Sequence, residues 1–112
     1  MAQYLLLIVG DDDAYQALSE EDGKAMYDGH YAFMAELEKA GVRIVASAEL
    51  DVPSGARTLH GDGTVTDGPF AEAKEQVGGF YSIYVPTLDE AVEWARKIPM
   101  LPTDKIEVRK AK

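Results

Sequence analysis

Gly78-Gly79-Phe80-Tyr81-Ser82-Ile83-Tyr84-Val85 is the stretch on which the fold turns. Tyr81, Ile83 and Val85 alternate with Phe80, Ser82 and Tyr84, so a strand from Val77 to Val85 carries large apolar groups on both faces. The run Tyr4 to Val9, inside a strand beginning at Gln3, is apolar on both sides as well. Strands of that kind need a layer on each side. The glycine pair marks a place where another group comes close to the strand backbone.

The flanking elements follow from local signals. Gly10 to Leu18 reads as an acidic loop. Ser19 with Asp22 resembles a capping box, and Glu20 and Glu21 suit the positive end of a helix. That helix is expected from about Glu20 to Ala40, stopped by Gly41, with Met26, His30, Phe33, Met34 and Leu37 on one face. Val42 to Leu50 reads as a second strand, Pro53 to Gly55 as a turn, and Arg57 to Asp67 as a hairpin around Gly61-Asp62-Gly63. Thr87 with Glu90 opens a helix expected to run through Ile98 and end at Pro99. Lys105 to Lys110 alternates Ile106 and Val108 with charges, giving a half-exposed last strand. Without the hairpin the order is the ferredoxin-like βαββαβ arrangement, an α+β fold with both helices on one sheet face. The other face is then bare, and a homodimer that covers it is expected.

The bulk properties bound the function. The 112 residues, 46% hydrophobic and 28% charged, make one globular domain over 1–112. A net charge of -9 argues against nucleic acid and against anionic membrane surfaces as partners. The absence of cysteine removes disulfides, thiolate nucleophiles and zinc-thiolate sites, and fits a reducing cytoplasm. Tyr4 to Val9 is too short to span a bilayer; with Asp11-Asp12-Asp13 behind it and no basic region ahead, it reads as a strand rather than a signal peptide.

Just before the decisive strand lies Thr66-Asp67-Gly68-Pro69-Phe70, which is turn chemistry. Pro69 suits the first position of a short helix capped by Asp67 or Gly68. The backbone N–H groups of Gly68 to Ala71 would then form a small anion cradle for a carboxylate or enolate oxygen, with Lys74, Arg43 and Arg57 as added positive charge.

The segment Val65 to Phe80, centred on Asp67-Gly68-Pro69-Phe70, resembles the YCII-related proteins of the DGPF type. The similarity extends to Tyr4-Leu5-Leu6-Leu7-Ile8, Ala40-Gly41-Val42, Thr87 to Pro99 and Ile106-Glu107-Val108-Arg109. It implies a dimeric α+β barrel of two ferredoxin-like sheets packed face to face, mostly in small bacterial proteins. It also implies an active-site pair, a His on the first helix and an Asp in the later loop, and in a few members a part in breaking down halogenated aromatics. His30, eleven residues before Gly41, matches the first, and Asp67 matches the second.

His30 is the strongest candidate on its own residues too, because imidazole exchanges protons near neutrality. The alternative is a histidine satisfied in the core or at a subunit interface. Asp67 would orient and charge-stabilise the ring; its alternative is a turn and cap residue. Gly68, Phe70, Gly78, Gly79, Glu49 and Tyr81 are the expected substrate-binding residues. No metal or cofactor is expected: the two histidines lack a ligand pattern, and neither a P-loop nor a serine elbow appears. The leading function is cofactor-free acid/base chemistry by His30 and Asp67 on a small carbonyl or aromatic compound, anionic if the cradle is used. Tautomerisation, lactone opening and hydrogen-halide elimination are the fitting reactions. The alternatives are a non-catalytic small-ligand or regulatory module and an oligomeric interaction protein.

Overall fold

A computed structural model describes residues 1–71 and 73–112. The chain runs β1 (Ala2–Asp11), α1 (Asp12–Gln16), α2 (Glu20–Lys39), β2 (Arg43–Glu49), β3 (Arg57–Leu59), β4 (Val65–Asp67), β5 (Glu75–Val85), α3 (Leu88–Ala95) and β6 (Lys105–Lys110). The main sheet has the order β2-β5-β1-β6 and every pairing in it is antiparallel, as the ferredoxin-like arrangement requires. Among the described residues strands β3 and β4 pair only with each other, as a separate hairpin inserted between β2 and β5.

Local chemistry sets most boundaries. Ser19 caps α2 by accepting from the Asp22 N–H at 3.0 Å, and Thr87 caps α3 by accepting from Glu90 at 3.2 Å. Gly41 leaves α2 in the left-handed region (φ 75°), where glycine carries no penalty. The expected loop from Gly10 to Leu18 is instead the end of β1 followed by α1. Asp11 accepts from the Asp13 N–H at 3.0 Å, and Asp12 and Asp13 face the positive helix end, so three acids that looked like loop start a helix. Helix α3 stops at Ala95, short of Ile98, although Ile98 still packs into the core.

One face of the sheet holds that core. Tyr4 and Leu6 of β1 and Tyr81, Ile83 and Val85 of β5 meet Phe33 and Leu37 of α2 and Ala91 and Ala95 of α3. The opposite face carries no helix among the described residues. There Leu5, Leu7, Val9 and Phe80 stay half-buried and Tyr84 is 38% exposed, with Lys105, Glu107 and Arg109 of β6 alongside. The smallest extent, 19 Å, is the thickness of one sheet and one helix layer. The radius of gyration, 15.3 Å, exceeds the roughly 13 Å of a compact chain of this length.

The sheet is irregular at Gly78. β1 pairs Ile8 with Gly79 but Val9 with Val77, which leaves Gly78 as a bulge. Gly78 has open space where a side chain would be. Gly79 does not: a Cβ there would stand 2.9 Å from the Ala48 carbonyl oxygen of β2. The close approach expected at this pair is therefore made by a neighbouring strand.

Candidate functional site

Three positions on the helix-facing side of the sheet, near the end where β5 begins, have little or no side chain: Ser47 of β2, Gly79 of β5 and Gly10 of β1, where Asp104 and Tyr15 take the place a side chain would have. The first half of α2 passes over them without packing down, since its buried residues, Phe33 and Leu37, lie in the second half. A cavity of about 650 Å³ results, within the range of small-molecule sites. Met26, Tyr27, His30, Tyr31 and Met34 of α2 form one wall, and Ser47, Glu49, Gly79 and Tyr81 the other. Tyr15 of α1 and the segment Leu50 to Pro53 border it. A second hollow of about 500 Å³ lies beside the C-terminal half of α2. It is flatter and contains no histidine, so the larger cavity is the candidate site.

His30 is half-buried, with Nδ1 2.7 Å from the Tyr81 hydroxyl and its ring stacked on the Tyr81 ring at 5.9 Å. Tyr81 is held by burial and by the edge of Phe33 at 4.9 Å. Burial pushes the His30 pKa below its ordinary 6.5, and the negative charge of Glu49 offsets part of that fall. Burial also raises the Tyr81 phenol, so it keeps its proton. A phenol can donate to Nδ1 or accept from it. The pair thus holds a neutral imidazole at pH 7 and leaves its other nitrogen as donor or acceptor.

Glu49 accepts from the Tyr27 hydroxyl at 2.8 Å, and this bond and charge push the Tyr27 pKa up. Tyr15 donates to Asp104, whose same oxygen accepts from the Leu101 N–H at 2.8 Å. The other Asp104 oxygen lies buried against Gly10 with no partner among the described residues. Burial, then Asp104, push Tyr15 above the usual phenol range.

Of the residues expected at the site, His30, Glu49, Gly78, Gly79 and Tyr81 line this one cavity. Asp67, Gly68 and Phe70 do not. Asp67 ends β4 with its side chain 93% exposed and 3.7 Å from Arg57, so within one chain it forms no pair with His30. Phe70 is 82% exposed. The helix expected at Pro69, and its anion cradle, are absent: the described residues from 68 to 74 form no helix. The reason is local competition. Gly68 takes φ 87°, its N–H donates to the Ala56 carbonyl at 2.7 Å, its carbonyl accepts from Thr58 Oγ1 at 2.9 Å, and the Asp67 carboxylate turns to Arg57 rather than capping. Glu72 lies outside the described residues. Gly10, Ser47 and Tyr15 were not singled out by sequence; only the strand register shows that small inner positions coincide there.

Among the described residues no group of three or more His, Asp or Glu is placed to hold a metal, and no helix is long and apolar enough to cross a membrane. A protein of Rhizobium meliloti (strain 1021), described as uncharacterised, is 36% identical over 98 residues, which take in 85% of this chain and 78% of that one. The model of the YCII-related domain matches residues 2–112, so the His30 cavity and the hairpin bearing Asp-Gly-Pro-Phe both fall inside it, and the chain belongs to the YCII-related family.

Proposed function

We propose that this protein is a cofactor-free enzyme in which His30 takes up and returns a proton on a small carbonyl or aromatic compound bound in the cavity. The observation that carries the reading is the 2.7 Å contact of His30 with Tyr81 on the cavity wall, with the imidazole held neutral and Glu49 as the nearby charge. A neutral imidazole accepts a proton from carbon or oxygen at pH 7, and Tyr81 steadies the ring while it does so. Tautomerisation, lactone opening and hydrogen-halide elimination all need such a group and no redox cofactor. Glu49 fills the charge role expected of Asp67. Asp67 takes part only if the hairpin of a second subunit carries it to the cavity.

The proposal includes a homodimer. The bare face with Leu5, Leu7, Val9, Phe80 and Tyr84 supports a second copy as its cover, burying on the order of 1,500 Å² or more. Light scattering at micromolar concentration should give twice the chain mass; a stable monomer would overturn this part.

The acid/base reading is tested without knowing the substrate. A panel of carbonyl compounds in deuterated buffer is followed by proton NMR for exchange at carbon, and chlorinated hydroquinones for chloride release. Turnover by the wild type and its loss in His30→Ala is the expected result. No reaction above buffer, or full activity in His30→Ala, would overturn it.

A further inference from the structure

We infer that the cavity selects by charge, and that its ligand carries an amine rather than a carboxylate: a small aromatic compound with a protonated nitrogen. The inference rests on the proposal that this cavity is the functional site. Among its described lining residues there is no lysine or arginine, whereas Asp12, Glu49 and Asp51 all border it. The cations that the sequence offered for an anion lie elsewhere. Arg57 is on the hairpin beside Asp67, Arg43 borders only the second hollow, and Lys74 does not reach the lining.

The three carboxylates differ in what they can do. Asp12 is engaged by Gln16 of its own helix, and Asp51 accepts from the Val52 N–H at 2.8 Å. Glu49 spends one oxygen on Tyr27, leaving Oε2 with no partner among the described residues. It stands across from the aromatic wall on the strand that pairs with β5, where Glu49 is opposite Gly79. An ammonium group meeting that oxygen would lie among Tyr27 and Tyr31, whose ring faces attract cations. The ligand's ring would take the apolar part of the cavity formed by Ile8, Met26 and Met34. A carboxylate in the same place would meet Glu49, in a cavity that Asp12 and Asp51 also border and whose described lining has no side chain of positive charge. That is also the opposite of the preference expected from an anion cradle at Pro69, which the fold does not build.

The test uses three probes with one phenol ring and different charge: tyramine, 4-ethylphenol and 4-hydroxyphenylacetate. Each is titrated into the intact protein at pH 7.5 and low salt, with binding read by calorimetry. Tyramine should bind about tenfold or more tighter than 4-hydroxyphenylacetate, with 4-ethylphenol between them. Glu49→Gln should narrow that ratio severalfold, while Glu93→Gln, which removes an equal charge from α3 outside the cavity, should leave it unchanged. Equal or tighter binding of the carboxylate would overturn the inference, as would no binding of any probe, or an equal response to both substitutions. The underlying acid/base proposal fails separately. Proton exchange absent with the amine preference intact would remove the chemistry and keep the selectivity, and the reverse pattern would remove only the selectivity.

Discussion

His30 and Asp67 were expected as partners, and the structure gives them opposite surroundings. His30 sits on a long capped helix, half-buried against Tyr81, with its pKa moved by burial. Asp67 ends a three-residue strand on the inserted hairpin, 93% exposed, with the Arg57 guanidinium at 3.7 Å as its ion-pair partner among the described residues. The lesson is that a residue's chemistry depends on how much of its environment is fixed. A turn motif fixes backbone and leaves the side chain in water, where charge interactions are weak. A helix packed over a sheet fixes the side chain as well.

The largest expected effect would break this contrast or establish it. His30→Ala should lower the rate of proton exchange by about 10²–10⁴-fold, the usual span for a general acid/base group, whereas Asp67→Asn should cost no more than a few-fold. Equal losses would show that the hairpin of a second subunit reaches the cavity, and the two residues would be partners after all.

Next comes the bulge. Gly79→Val should destabilise by roughly 1–3 kcal/mol, because its Cβ would meet the Ala48 carbonyl at 2.9 Å, a backbone atom that can yield only by parting β2 from β5. Gly78→Ala, with nothing near its Cβ, should stay within about 0.5 kcal/mol of wild type. Chemical denaturation of both variants separates them; equal shifts would mean that the crowding at Gly79 is relieved elsewhere.

Tyr81→Phe sharpens the His30 side. The lost hydrogen bond should reduce stability by about 0.5–1.5 kcal/mol and leave the imidazole free to turn. The acidic limb of the rate profile should move with it. An unchanged limb would show that Tyr81 only fills space.

The pH dependence of stability is a smaller effect with a definite sign. A His30 pKa lowered by folding means that the unfolded chain binds more protons between the folded value and 6.5. The contribution is therefore fully present above pH 6.5 and is lost as pH falls toward the folded value. His30→Gln should flatten that part of the curve, and a slope unchanged by the substitution would assign it to other groups. Smallest of all, Arg57→Ala should leave the melting temperature where it is, since both partners of its ion pair are largely in water.

How much was legible in the sequence follows the same division. Ser19, Thr87 and Gly41 act on backbone within four residues, and all three do what the sequence says. The two-faced strand at Phe80 to Val85 was readable because alternation has a fixed period. His30 at the cavity followed from helical spacing. The helix at Pro69 failed because two hydrogen bonds hold Gly68, its N–H donating to the Ala56 carbonyl and its carbonyl accepting from Thr58 Oγ1, and outcompete a local cap. The cavity itself could not be read, since Gly10, Ser47 and Gly79 are far apart in the chain and become neighbours only through strand register.

The position of β1 has a consequence for how the molecule comes into being. This strand lies at the centre of the sheet, and both its neighbours come late: β5 begins at Glu75 and β6 ends at Lys110. Folding must bring together residues more than half the chain apart before Tyr4 to Val9 gains its ladder to β5, and nearly the whole chain before it gains the one to β6, which is slow because distant contacts are rewarded only after the loop between them is closed. A ribosome adds about 5–20 residues per second, so during synthesis an apolar strand with two open edges waits several seconds for partners. Newly made chains are thus most vulnerable to joining one another through β1, and helpers that shield nascent apolar strands should find their target in that strand.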